Sequence, residues 1–148
     1  MSFLDAAASR PWLRTLAAVA VLVLGGGCAH GHDPQASRAA TVTERDFHIS
    51  APAALAAGQV RLRVHNLGPE AHELIVVRTS SEHALPLRAD GLTVDEDAVE
   101  KATLGVLEPG RAGTTRELTL HLAPGHYVMF CNMSGHFLGG MHAELAVQ

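Results

Sequence analysis

The sequence predicts an all-β domain, a Greek-key β-sandwich of about seven or eight strands with one short helix. Three observations carry this expectation. From Thr41 onward the apolar residues recur at a period nearer two than 3.6. The run Leu74 to Val77 is continuously apolar but only as long as a strand buried on both faces. Proline and glycine punctuate the chain at spacings that suit short strands.

Taken in order, Val60, Leu62 and Val64 alternate with Gln59, Arg61, Arg63 and His65, which marks a strand with one wet face. Leu74 to Val77 follows as the buried strand. Asp95 to Ala102 is the helical exception, with acidic residues in its first turn and Lys101 near its end, an arrangement that suits the helix dipole. Leu118, Leu120 and Leu122 then alternate with Glu117, Thr119 and His121, and Tyr127 to Phe130 and Ala143 to Val147 supply two more strands. Leu67-Gly68-Pro69, Glu108-Pro109-Gly110 and Ala123-Pro124-Gly125 are expected as turns or loops.

A hydrophobic fraction of 47% against 18% charged residues excludes a wholly disordered chain. The net charge of −4, without a basic run, argues against a nucleic-acid partner. Arg10 and Arg14 precede an apolar run from Leu16 to Leu24, and Gly25-Gly26-Gly27-Cys28 follows. A basic start, a short apolar stretch and small residues are the marks of an export signal. The segment resembles a bacterial lipoprotein signal, which would make Cys28 the lipidated residue; ordinary cleavage and retention as an uncleaved anchor are the other outcomes. Each places the remaining chain outside the cytoplasm. The expected organisation is a signal or anchor over 1–27, a flexible tether over 28–40 rich in small and polar residues, and one folded domain over 41–148.

One constellation carries chemistry. Cys131, His136 and Met141 stand in a Cys-x4-His-x4-Met spacing between two expected strands, and His72 stands upstream at the entrance to the buried strand. A thiolate, two imidazoles and a thioether suit copper passing between Cu(I) and Cu(II). One thiolate with a thioether is a poor zinc set. A disulfide between Cys28 and Cys131 would sacrifice both the lipid and the metal readings.

These stretches resemble the cupredoxins, the small blue-copper proteins. The matching motifs are N-x-G-x-x-x-H-E-L at 66–74 and P-G-x-Y-x-x-x-C-x-x-x-G-H-x-x-x-G-M at 124–141. The resemblance implies His72, Cys131 and His136 as strong equatorial ligands and Met141 as the weak axial one. It also implies a ligand loop of the longer rusticyanin and sulfocyanin kind. In several members an Asn follows the first His and ties the two ligand loops together; this chain carries Glu73 there instead.

The function implied is single-electron transfer between extracytoplasmic redox partners by a membrane-tethered, monomeric carrier. The alternative is a protein that binds, stores or delivers copper without redox turnover. An enzyme is not expected, since there is no second Cys near Cys131 for a binuclear site, no nucleophile-base arrangement and no phosphate loop. Backbone amides near His72 and within the Cys131 loop are the expected donors to the sulfur. Electrons would pass through an exposed edge of His136, with Phe137, Leu138 and Met133 as a docking patch.

Overall fold

A computed structural model describes residues 38–148, so the expected export segment, Cys28 and the expected tether up to residue 37 lie outside the described residues. The described chain runs β1 (Arg38–Arg45), β2 (His48–Ser50), β3 (Ala54–Leu55), β4 (Gly58–Asn66), β5 (His72–Arg78), α1 (Glu96–Val99), β6 (Thr103–Gly110), β7 (Thr115–Leu122), β8 (Gly125–Phe130) and β9 (His142–Val147). One sheet has the order β2-β1-β4-β7 and the other β3-β9-β8-β5-β6. β1 pairs with β4 and β3 with β9 in parallel; the other pairs are antiparallel. The all-β sandwich expected from the sequence is therefore present. Its strands beyond the expected count are short pieces such as β2 and β3.

The period-two residues meet between the sheets. Val42, Val60, Leu62, Val64, Leu120 and Leu122 from one sheet pack against Leu74, Val76, Tyr127, Met129, Leu145 and Val147 from the other. Burial of each Val or Leu side chain contributes about 1.5–3 kcal/mol before ordering costs. The unbroken apolar run of β5 has a direct cause. Leu74 and Val76 face this core, while Ile75 and Val77 face a second one on the other side of the sheet. That second core joins Val128 and Phe130 of β8 to Leu85, Val94 and Val99 of the segment between β5 and β6, which lies over the sheet.

Three boundaries differ from the sequence reading. β1 begins at Arg38 rather than Thr41, because Arg38, Ala39 and Ala40 pair with Val60, Arg61 and Leu62. Glu108-Pro109-Gly110 is not a turn but the end of β6. β6 is an edge strand, where proline's missing N–H leaves no ladder bond unmade. The reversal falls just after it, where Gly113 N–H donates to Asn66 O at 2.8 Å and Thr114 N–H to Arg111 O at 3.2 Å. The helix over Asp95 to Ala102 divides into α1 and a 3-10 turn at Glu100–Ala102.

One ion pair interrupts the main core. Glu44 of β1 is fully buried and its Oε2 lies 2.6 Å from an Nη of Arg116 on β7. Burial pushes the Glu44 carboxyl up to about 7, against the pull of Arg116. Its other oxygen and Arg116 Nε have no hydrogen-bond partner. Such a pair is costly to bury and costlier to break on one side.

Candidate metal centre

The site forms at one end of the sandwich, where β5 begins and β8 gives way to the loop before β9. Asn66 at the end of β4 builds the first ligand loop. Fully buried, it donates through Nδ2 to Glu70 O at 2.7 Å and Gly110 O at 2.9 Å, and accepts from Gly68 N–H at 2.9 Å. These bonds satisfy the loop's buried backbone groups and deliver His72 to the first position of β5.

The second loop runs from Cys131 to Met141 and is closed by its own backbone. Cys131 N–H donates to Met141 O at 3.1 Å, and Met141 N–H donates to His136 O at 3.0 Å. His136 N–H donates to Met133 O at 2.9 Å, and Gly139 N–H to Gly135 O at 3.0 Å. Asn132 anchors the loop sideways: Val94 N–H donates to its Oδ1 at 2.6 Å, and its Nδ2 donates to Val94 O at 3.1 Å and Glu96 Oε1 at 2.7 Å.

The result brings together His72, Cys131 and His136, all buried, with one donor atom from each lying within 4.8 Å of the others. Cys131 Sγ is 3.6 Å from His136 Nδ1, and the two imidazole centroids are 5.3 Å apart. Met141 is fully buried beside them, tied by its backbone to both Cys131 and His136. Each of the four residues singled out in the sequence thus reaches the same end of the sandwich.

Burial acts on these groups in different ways. Burial pushes the His72 imidazolium down, against the pull of Asp46, which favours the neutral ring. His72 Nδ1 is buried without a hydrogen-bond partner, an orphan that a metal ion would satisfy. Burial pushes the Cys131 thiol up, while the backbone N–H groups of Met133 and Glu73 favour the thiolate and pull it down. These are the two amide positions expected from the sequence. One thiolate, two imidazoles and a neighbouring thioether are the donors of a single copper ion, and the residues present fit it.

The predicted docking residues divide. Leu138 is 51% exposed. Phe137 is not on the surface: at 8% exposure it turns into the second core, its ring 5.5 Å from that of Phe130. Met133 is half-buried and packs against the main core. Nor does His136 present an open edge. It is 7% exposed, its Nε2 stands 3.2 Å from Glu70 Oε2, and its ring centroid lies 5.2 Å from that of Phe47. Phe47 and Asp46, in the turn between β1 and β2, are site residues that sequence reasoning missed. Neither belongs to a ligand motif, and no periodicity marks them.

No family model and no curated protein matches the sequence. Solved structures do match the fold. The chain is similar to sodium-dithionite-reduced auracyanin from the photosynthetic bacterium Roseiflexus castenholzii, with 17% identity over 76% of this chain and 98% of that one, at a TM-score of 0.58. It is similar to auracyanin B at 24% identity, over 75% of this chain and 88% of that one, with a TM-score of 0.57. Rusticyanin from Thiobacillus ferrooxidans aligns at 15% identity over 76% of this chain and 79% of that one, with a TM-score of 0.53. The two-sheet sandwich with a buried His-Cys-His cluster at one end defines the class: a β-sandwich with three converging donors that could hold one metal ion. The chain has the cupredoxin fold, and its donor set is that of a blue-copper site.

Proposed function

We propose that this protein is a membrane-tethered, extracytoplasmic carrier of single electrons rather than an enzyme. The observation that carries the reading is the buried convergence of His72, Cys131 and His136, with donor atoms within 4.8 Å of one another, on two loops already braced by their own hydrogen bonds. When bound, copper supplies a one-electron Cu(I)/Cu(II) couple. His72 Nδ1, Cys131 Sγ and His136 Nδ1 would hold it, and the Met141 thioether is the weak fourth donor. The chain's task is to keep those donors nearly still in both oxidation states. The Asn66 and Asn132 networks serve that end by fixing the two loops to the sandwich. Docking would use Leu138, with Leu67 and Phe47, both about as exposed, beside it in the loops that bear or cover the ligands. A small patch of this kind suits the brief encounters of redox proteins, which bury less than about 1,200 Å².

The location rests on the sequence before the domain: Arg10, Arg14, the Leu16 to Leu24 run and Cys28. Among the described residues no helix is long and apolar enough to cross a membrane. Cys28→Ala releases the protein into the soluble fraction if Cys28 bears lipid; retention would assign the anchor to an uncleaved helix.

The decisive experiment is addition of one equivalent of Cu(II) to the purified protein, followed by a visible spectrum and a redox titration. An intense thiolate-to-copper band with a reversible couple is expected. Weak absorption, or reduction that surrenders copper to a chelator, would replace the carrier with a copper-handling protein.

A further inference from the structure

The turn between β1 and β2 touches both imidazoles. Asp46 Oδ1 lies 3.0 Å from His72 Nε2, and the Phe47 ring lies over His136, tilted 58°. The turn is lashed to the first ligand loop: Leu67 N–H donates to Glu44 O at 2.8 Å, and Arg45 donates through Nη1 to Leu67 O at 3.3 Å. Phe47 has φ 61°, a left-handed conformation that a bulky side chain rarely adopts.

Each ligand loop is bare where this turn seats. A Cβ on Gly68 would stand 2.7 Å from Asp46 Oδ1 and 2.9 Å from His72 Nε2. A Cβ on Gly139 would collide with the Phe47 ring. An alanine at either place would push the turn off its imidazole. The fit is therefore two-sided, carboxylate to one ring and aromatic face to the other.

An acceptor at His72 Nε2 requires the proton there, which leaves the Nδ1 lone pair free. That nitrogen is the buried one with no partner. We propose that Asp46 and Phe47 form a positioning clasp for the metal centre. Asp46 fixes the His72 tautomer and sets a negative charge behind that ligand, and Phe47 holds the His136 ring and shuts it from solvent. A carboxylate behind a ligating imidazole raises its donor strength, and its loss typically weakens metal binding about 10- to 100-fold. The charge also favours Cu(II) over Cu(I) and so lowers the reduction potential. This inference rests on the copper reading above.

The test uses the full chain in wild-type form and as Asp46→Asn, Asp46→Ala and Phe47→Leu. In the metal-free protein, nitrogen-15 NMR of the imidazoles is expected to show His72 as a single Nε2–H tautomer, lost in Asp46→Ala. With copper, Asp46→Asn, which keeps an acceptor oxygen but not the charge, should raise the potential. Asp46→Ala should lose Cu(II) affinity about 10- to 100-fold, and Phe47→Leu should release copper to a chelator faster. A wild-type His72 protonated at Nδ1, or a potential and affinity unchanged in both Asp46 variants, overturns the clasp. If Asp46→Ala does not fold, Asp46→Asn and Phe47→Leu decide the matter. Wild-type protein that takes up no copper would refute the metal reading instead, and the tautomer would still decide whether Asp46 orders His72.

Discussion

Glu73 Oε1 accepts a hydrogen bond from the backbone N–H of Asn132 at 3.0 Å, joining residues 59 positions apart in the chain. Glu73 follows His72 on β5, and Asn132 follows Cys131, so one bond stitches the two ligand-bearing segments together. This is the tie that the family resemblance assigns to an Asn at the same place; here a half-buried carboxylate makes it. Burial pushes that carboxyl up, partly opposed by the Asn132 bond. Glu73→Gln retains an accepting oxygen and should behave nearly as wild type. Glu73→Ala strands the Asn132 N–H and should cost about 1–3 kcal/mol in urea unfolding of the metal-free protein. Equal stability of the two variants would mean the bond contributes nothing.

Cys131 is fully buried and its sulfur lies 3.6 Å from His136 Nδ1. Cys131→Ser conserves shape, so the fold should survive by far-UV circular dichroism while the intense visible band disappears. Retention of that band would exclude Cys131 as the thiolate donor. His72→Ala should likewise change the copper spectrum, because it empties one side of the cluster.

As the proposed weak fourth donor, Met141 would stabilise Cu(II) more than Cu(I). Met141→Leu is close in volume and apolar, so the core should lose less than about 1.5 kcal/mol. Copper should remain bound at a higher reduction potential, read by voltammetry. A marked fall in potential would contradict the proposal of Met141 as the fourth donor.

The buried Glu44 predicts a pH signature. Its folded pKa of about 7 lies above the ordinary carboxyl value of 4.5, so between those values the folded state binds the proton that the unfolded state has released. The contribution is present below pH 4.5 and is lost as pH rises toward 7, amounting to about 3 kcal/mol. His72, held below its ordinary value, acts in the opposite direction in the window below pH 6.5. The informative quantity is therefore the difference between wild type and Glu44→Gln. Relative to that variant, the metal-free wild type should lose stability from pH 4.5 to 7. Parallel stability curves would show that Arg116 keeps Glu44 ionised throughout.

Phe137 and Leu138 are adjacent and should respond in opposite ways. Phe137→Ala removes a ring packed on Phe130 and should cost about 3–5 kcal/mol. Leu138→Lys alters a half-exposed side chain and should leave stability within about 0.5 kcal/mol. It should instead slow electron self-exchange at constant potential. Self-exchange at the wild-type rate would remove Leu138 from the docking surface.

The sandwich, the short helix and the four candidate donor residues were legible in the sequence because each leaves a local mark. Alternation at Val60, Leu62 and Val64 reports a strand with one buried face, and an unbroken run at Leu74 to Val77 reports a strand between two cores. Cys131, His136 and Met141 share one loop, so their spacing alone brings them together. Tertiary structure decided whatever depends on contacts between distant segments. Pro109 lies within β6 because β6 is an edge. Phe137 points inward because Phe130 and the second core wait beneath it. Asp46 and Phe47 reach the metal centre only because β1, paired in parallel with β4, ends beside the loop that carries His72. No periodicity or motif encodes that neighbourhood. It follows from strand pairing, which couples residues by register rather than by sequence distance.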